Sequence, residues 1–435
     1  MEVRSLKKKD SDKEISFLGK VFLFFKSLIE RVKDLRIPQR IIAREKRLAG
    51  YENVDSPKEA KLSFVFGMSK ISAIALLAIF LVVVVVFGGS MIAYDNVYYM
   101  FRDIAYINSF SESRPQSLNY SRPFENQDFT AFKNGLAVAG DSEIKLFTST
   151  GRATMVKGSD YTNPKICSSD STVLVYDQGR RSFSVYNSFV VLYSETLDYP
   201  ISSAHMSPDG SFCIVTRSDE YGSVIRVYDN KFRLESEILR NDYVISAEIN
   251  GNSIAVASLN AVEGEGVTTL TVVSRGREKA RSSVELRGAI PYAVSFIANN
   301  RVAVICSDSS YVYDLDGNIQ YKYSFPSRLI NMSVNDGGFA LLFSDRDVNS
   351  GYILQIFGEN GNLVNSFVLS GQVSDIEYCG NFAFVMFDSE VKRIDTLFGT
   401  TSSVKFSEED ARLISFSDGT LMACTDTVAY YISFN

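Results

Sequence analysis

One pattern of polar turns and short strands recurs at intervals of 36 to 49 residues through most of the chain. Each unit has a polar turn, an apolar strand, a second turn, a strand that ends in an aromatic residue, and a polar hairpin. Four short strands in about 40 residues are typical of a β-propeller blade, because such a sheet buries both faces only by stacking on its neighbours. The turns begin near Asn134, Asp170, Asp209, Asn250, Asn299, Asp336, Gly380 and Asp418.

The strand after each turn is a near-continuous apolar run, which predicts a strand buried on both faces. We therefore place these runs innermost in their blades, and third strands such as VIRVYDNK (224–231) and fourth strands such as LESEIL (234–239) further out. The apolar runs are GLAVA (135–139), VLVY (173–176), FCIVT (212–216), IAVAS (254–258), VAVIC (302–306), FALLF (339–343), FAFVMF (382–387) and LMAC (421–424). They predict an all-β, eight-bladed β-propeller; seven blades are the alternative if the first or last repeat is only an edge.

The last repeat, from Ala411 to Asn435, has room for three strands only. A ring of blades is usually closed by an N-terminal strand that completes the last sheet. Two donors lie between Asp103 and Phe129, namely Ser117–Tyr120 and Ile104–Phe110, and the sequence does not decide between them.

Residues 71–94 are 24 consecutive residues without a charge, enough for a helix to cross the hydrocarbon layer. A buried core helix is the alternative, but this run is longer than such helices usually are. Residues 1–70 hold 17 basic and 10 acidic residues, and the rest of the chain holds 28 basic and 41 acidic ones. The positive-inside rule therefore predicts one N-terminal transmembrane α-helix in the cell membrane, a cytoplasmic N-terminus and a large domain outside.

These features divide the chain into four parts. Residues 1–70 form a basic cytoplasmic segment, 71–94 the span, 95–128 a juxtamembrane stalk that includes the closing strand, and 129–435 the propeller. Apolar residues at helical spacing from Leu18 to Val32 are accompanied by lysines and arginines, which predicts an amphipathic helix on anionic lipid. The alternative is a helix that packs on a partner or on itself. No nucleic-acid partner is expected, because membrane topology accounts for the basic charge.

The anchor followed by DNVYYMFRDI (95–104) and by hairpins such as VYDLDG (312–317) resembles a family of membrane-anchored β-propeller proteins from clostridium-like Gram-positive bacteria. That family is classed as a domain of unknown function. More distantly, the repeats resemble WD40-like and quinoprotein-like propellers, which favour turns such as SPDG (207–210). The resemblance covers about residues 70–435 and implies no site residue.

The composition removes most catalytic sets, since the chain has one histidine, no tryptophan and five cysteines without a C-x-x-C pair. His205 is expected on an inner strand, as a hydrogen-bonded structural histidine. DLDGN (314–318) resembles the start of a calcium loop but lacks the distal glutamate, so it is interpreted as a turn. We predict no catalytic, cofactor-binding or metal-binding residue and no cofactor. The cysteines are expected to be buried thiols: Cys167, Cys213, Cys306, Cys379 and Cys424.

Two insertions enlarge the fourth blade, RGREKAR (275–281) and EGEG (263–266). Both are interpreted as solvated loop tips, in a blade where a binding surface could be built.

The predicted function is a protein-binding or scaffolding module for a protein or cell-envelope partner, without enzymatic activity. The alternatives are a carboxylate-based envelope hydrolase and a ligand sensor that signals through the single helix. Converging carboxylates in a deep pocket would favour the hydrolase, and a shallow mouth beside an exposed aromatic patch would favour binding.

Overall fold

Short β-branched and aromatic runs, separated by Gly, Asn and Asp, form 33 strands in the part of the chain that the computed structural model describes. That part comprises residues 2–5, 116–120, 126–277, 279–344, 351–408, 410–416 and 419–434. These strands form eight separate antiparallel sheets, which we call blades I to VIII in chain order. The prediction of an eight-bladed all-β propeller is confirmed.

Blades I to IV take up the first half of the ring. Blade I contains β3 (Gln127–Phe132), β4 (Gly135–Gly140), β5 (Glu143–Phe147) and β6 (Ala153–Gly158); blade II contains β7 (Pro164–Ser168), β8 (Val173–Asp177), β9 (Ser182–Tyr186) and β10 (Val191–Thr196). Blade III contains β11 (Ile201–Met206), β12 (Phe212–Thr216), β13 (Ser223–Tyr228) and β14 (Leu234–Arg240); blade IV contains β15 (Tyr243–Asn250), β16 (Ser253–Val262), β17 (Glu265–Ser274) and β18 (Ala280–Arg287).

Blades V to VII repeat the same order of four strands. Blade V contains β19 (Pro291–Ala298), β20 (Arg301–Cys306), β21 (Ser309–Asp314) and β22 (Ile319–Ser324); blade VI contains β23 (Leu329–Asn335), β24 (Gly338–Ser344), β25 (Gly351–Gly358) and β26 (Leu363–Ser370). Blade VII contains β27 (Val373–Cys379), β28 (Phe382–Phe387), β29 (Glu390–Asp395) and β30 (Thr401–Lys405).

Blade VIII is completed by a strand from the beginning of the domain. Its own strands are β31 (Arg412–Ser415), β32 (Leu421–Cys424) and β33 (Val428–Ile432), and β2 (Ser117–Asn119) pairs antiparallel with β33. Of the two predicted donors, the structure uses the one at Ser117–Tyr120; Ile104–Phe110 lies outside the described residues. Lys145 of blade I is buried, donates a hydrogen bond to the carbonyl oxygen of Tyr120 and pairs with Glu143 at 2.8 Å. This contact ties the closing strand to the first blade.

Blade III carries a fifth strand, β1 (Glu2–Ser5), which pairs antiparallel with its outer strand β14. No helix among the described residues is long and apolar enough to cross a membrane, and the predicted span at 71–94 lies outside them.

The position of the apolar runs within the blades differs from the prediction. The runs form the second strand of every blade (β4, β8, β12, β16, β20, β24, β28 and β32), and the innermost strands are the more polar ones before them. The second strand has a paired neighbour on each side and a blade on each face, so every residue of the apolar runs is buried except the half-buried Phe382. The innermost strand has one unpaired edge toward the axis, so it tolerates polar residues. His205 lies on the innermost strand β11, as predicted.

The core consists of apolar layers between neighbouring blades. One such layer joins Ala255 and Val272 of blade IV to Val302 and Tyr313 of blade V, all nearly inaccessible to solvent. Burial of each large apolar side chain stabilises the fold by about 1.5–3 kcal/mol, which is how sheets of four short strands become stable.

Candidate binding surface at the channel mouth

The innermost strands have backbone N–H groups that no strand of their own blade can accept, because their inner edges face the axis. Polar side chains of the preceding blade accept several of them. The hydrogen bonds are Ile166 N to Asp128 (3.3 Å), Ile249 N to His205 Nδ1 (3.3 Å), Val294 N to Ser246 (3.3 Å), Phe296 N to Glu248, Tyr378 N to Ser333 (2.9 Å), Leu413 N to Asp375 (2.8 Å) and Ser415 N to Glu377 (3.4 Å). The polar groups around the axis thus hold neighbouring blades together.

The only histidine of the chain belongs to this set of contacts. Its Nδ1 accepts the Ile249 N–H, so Nε2 carries the proton and faces Glu248 Oε1 at 3.2 Å. Ser295 donates to the same Oε1 atom at 2.9 Å. A nucleophilic triad needs the imidazole between the hydroxyl and the carboxylate. Here the carboxylate lies in the middle, so this arrangement does not activate the Ser295 hydroxyl, and the structural interpretation of His205 is supported.

Asp375 and Glu377 lie two residues apart on β27 and share the same kind of role. Asp375 also accepts from the Asn331 amide at 3.1 Å, and Glu377 accepts from the Ser333 hydroxyl at 3.0 Å. Burial raises the pKa of Glu377, although hydrogen bonds from Ser415 and Ser333 oppose the shift. Burial likewise raises the pKa of Asp128, which Arg412 approaches to 3.2 Å. The backbone N–H group that each of these carboxylates accepts therefore gives it a structural role between two blades.

Five successive innermost strands, in blades III to VII, contain a β-bulge close to their first residue. The ladder shifts between Ile201 and Ser203, Val244 and Ser246, Pro291 and Ala293, Leu329 and Asn331, and Val373 and Asp375. The innermost ladders of blades I, II and VIII stay in register. A bulge changes the direction of one side chain and is frequent beside functional sites. The extra residues are Ser202, Ile245, Tyr292, Ile330 and Ser374.

In the three central blades, the residue at the bulge is large, apolar and exposed. Ile245, Tyr292 and Ile330 are exposed by 42%, 51% and 45%, and Tyr243 and Ile290 just before them by 65% and 49%. All five lie where adjacent innermost strands begin, at one end of the axial channel. We call this end the mouth and these five residues the mouth patch. Large exposed apolar residues on neighbouring strands are typical of interaction sites.

The two insertions of blade IV lie at opposite ends of that blade. The β16–β17 hairpin continues past the Tyr243–Leu259 pair, so its EGEG tip lies at the mouth. The RGREKAR turn lies at the other end, where Arg275 pairs with Glu235 at 2.6 Å and Arg281 with Asp316 at 2.7 Å. The two tips therefore differ in charge and in position.

The remaining sequence candidates have structural explanations. Asp314 accepts the backbone N–H groups of Asp316 and Asn318 at 2.9 Å each, which closes the DLDGN turn. Burial raises the pKa of the Cys213, Cys306 and Cys424 thiols to about 12, which disfavours the reactive thiolate form. Within the described residues, no group of three or more His, Cys, Asp or Glu side chains is arranged to hold a metal ion.

Two surface clefts lie elsewhere on the ring. One of about 440 Å³ lies between the outer parts of blades I and II and is lined by Tyr161, Ser184 and Glu195, among others. The other, of about 420 Å³, lies beside Tyr120 and Lys145 at the closing strand. Neither cleft includes a residue of the mouth patch.

Sequence reasoning missed the mouth patch because a bulge shifts the alternation of a strand by one residue. A signal was present, since each innermost strand of blades III to VII has a similar triplet at its first or second residue. The triplets are ISS, VIS, PYA, LIN and VSD, each with a branched or proline residue, a variable residue and a small or polar one. Without the partner strand, the middle residue cannot be identified as the extra one.

Comparison with solved structures shows the same fold in proteins of very different sequence. The computationally designed Ika8 protein gives a TM-score of 0.55 at 16% identity, covering 74% of this chain and 100% of that one. Saccharomyces cerevisiae Sqt1 gives 0.54 at 12% identity, covering 74% and 100%. BamB from Moraxella catarrhalis gives 0.50 at 9% identity, covering 73% and 98%.

No curated protein matches the sequence significantly. A family model, described as a family of unknown function (DUF5711), matches residues 113–430. This match spans the closing strand and all eight blades up to residue 430 in β33, and it confirms the resemblance to a family of unknown function with a propeller domain. The chain therefore belongs to the DUF5711 family, and its family domain is an eight-bladed β-propeller.

Proposed function

We propose that this protein is a single-pass, membrane-anchored propeller outside the cell membrane that binds a protein partner through the mouth patch. The exposed Tyr243, Ile245, Ile290, Tyr292 and Ile330 carry the proposal, because they leave five large side chains in water at one end of the ring. Aromatic anchors on a rigid support lose little entropy when they bind.

The hydrogen bonds of the polar residues around the axis favour a binding function over a catalytic one. Its carboxylates accept N–H groups of the next blade, and Glu248 separates Ser295 from His205. The hydrolase alternative draws on Asp375 and on Glu377, whose pKa is raised by burial. Turnover of peptidoglycan or an oligosaccharide by the purified protein, lost in Glu377→Gln, would favour that alternative.

The anchor and its orientation belong to the proposal. The uncharged stretch at 71–94 and the basic residues before it support a cytoplasmic N-terminus whose segment 1–70 contacts anionic lipid. The clostridium-like source implied by the resemblance also stays a prediction. Pairing of β1 with β14 of the same chain requires both strands on one side of the membrane. The proposed single span therefore requires that this pairing is absent when the protein is in the membrane, and the topology experiment in the Discussion distinguishes the two arrangements.

A site-specific photo-crosslinking experiment tests the binding surface. Benzoylphenylalanine is placed at Tyr243 or Tyr292 of the full chain in intact cells, and at Val368 as a control. Val368 is 75% exposed and apolar but lies on the outer strand of blade VI. We expect discrete crosslinked proteins from Tyr243 and Tyr292 and none from Val368. Equal products from all three positions, or products from Val368 alone, would refute the mouth as the binding surface.

A further inference from the structure

The loops around the mouth patch are acidic. At this end of blades III to V, the exposed carboxylates are Asp219, Glu220, Glu263, Glu265 and Asp308, and the exposed guanidinium groups are Arg217, Arg287 and Arg328. Among the described residues, none of these five carboxylates forms an ion pair. By contrast, Arg275 and Arg281 at the opposite end of blade IV are paired with carboxylates. Because five exposed carboxylates outnumber three exposed guanidinium groups, the end of the ring that carries the mouth patch has a net negative charge.

The β16–β17 hairpin extends beyond the innermost strand β15 at the mouth end of blade IV. Beyond the Tyr243–Leu259 pair its strands continue through Asn260–Val262, and Val262 is 39% exposed. Glu263 and Gly264 form its two-residue turn with φ angles of 54° and 85°. A turn of this kind favours Asn, Asp or Gly at its first position, and a positive φ costs other residues about 1–2 kcal/mol. The chain nevertheless has a glutamate there, which places an exposed carboxylate at the mouth end of blade IV.

Charge complementarity selects among possible occupants. An acidic polypeptide or an anionic lipid surface would meet like charge at the rim, which opposes close approach. A segment with Lys or Arg flanking large apolar side chains would complement both features. Its apolar groups would contact the mouth patch, and its cations would contact the carboxylates around it.

We propose that the mouth takes a polypeptide segment of a partner protein that combines two or more large apolar side chains with flanking Lys or Arg. This inference rests on the proposed binding function of the mouth patch and adds the chemistry of the partner. The positive charges increase the association rate and fix the orientation, and the apolar contacts provide most of the affinity.

Selection from a random 12-residue peptide display library tests the inference without assuming a partner. The full chain, purified in detergent, is the target, and each selected peptide is then measured against three variants. The mouth-charge variant carries Glu263→Gln, Glu265→Gln and Asp308→Asn. A matched control carries Asp170→Asn, Glu285→Gln and Asp336→Asn, which removes the same charge from exposed positions outside the mouth. The patch variant carries Tyr243→Ser and Tyr292→Ser.

We expect selected peptides rich in Lys or Arg and in aromatic or aliphatic residues. The mouth-charge variant should bind them about tenfold more weakly at low salt, because three moderate charge contacts are lost, and the control should bind them as the wild type does. High salt should reduce the difference. Peptides without a basic excess, or equal binding by the mouth-charge variant and the control, would overturn the inference.

The patch variant separates this inference from the proposed function. If it loses binding while the mouth-charge variant keeps it, the mouth is a binding surface but its partner is not cationic. If it keeps all binding, the proposed binding surface itself is wrong. A selection that yields no peptide dependent on Tyr243 and Tyr292 counts against both proposals.

Discussion

Two kinds of residue on the innermost strands perform different tasks. Ser246, Glu248 and Glu377 accept N–H groups across a blade junction, so their polarity is needed for the ring itself. Ile245 and Tyr292 are bulge residues without such a partner, and their exposed side chains have no comparable structural role. Substitutions should therefore separate stability from binding.

Glu248 tests the structural role. Glu248→Ala removes the acceptor for Phe296 N and for Ser295, so we expect the free energy of unfolding to fall by about 1–3 kcal/mol. Urea titration of the full chain measures the change, with Glu285→Ala on the exposed face of β18 as the control. A change no larger than that of the control would show that the junction does not need this carboxylate.

Glu377 tests the effect of pH. Its pKa is raised in the folded state, so the folded protein holds the proton more tightly than the unfolded chain does. Its contribution to stability should therefore decrease as the pH rises from the ordinary value of 4.5 to the raised one, and be constant above that. The stability difference between wild type and Glu377→Gln, followed by urea unfolding from pH 4 to 8, should change in this direction. A difference independent of pH would contradict the shift.

The closing strand is the element on which the ring depends. Leu118 of β2 is 3% exposed and packs in the layer between blades VIII and I, whereas Ser117 beside it is exposed. Leu118→Ala should lower the free energy of unfolding by about 2–5 kcal/mol, with Ser117→Ala as the control. Hydrogen exchange should quicken first in β33, the partner of β2. Equal effects of the two substitutions would show that β2 does not close the ring.

At the scale of the whole molecule, topology is the property to test. The five native cysteines all lie in the propeller, three of them buried, so new cysteines are readily distinguished. In intact cells, a membrane-impermeant maleimide should label Ser389→Cys, which is exposed in the turn between β28 and β29, and spare Ser11→Cys. Labelling of both would refute the single span and favour the pairing of β1 with β14. Labelling in lysed cells controls for accessibility.

The repeat period determined the fold class and predicted eight blades, because a blade is a local antiparallel sheet whose turns and strands are neighbours in sequence. For the same reason, the three-strand last repeat indicated that an N-terminal strand closes the ring. The structure excluded the alternative of seven blades. The apolar runs were correctly identified as strands buried on both faces but placed one strand too close to the axis. Burial depends on the neighbouring blade, which local sequence does not specify.

Only the tertiary structure decided which polar residues hold the ring together and which apolar residues are exposed. Glu377 and Tyr292 belong to similar strands, yet one accepts an N–H group of the next blade and the other is turned outward by a one-residue shift in pairing. Both outcomes arise from contacts between residues distant in sequence. The composition of a strand therefore indicates that it is a strand, and its neighbours decide what each of its side chains does.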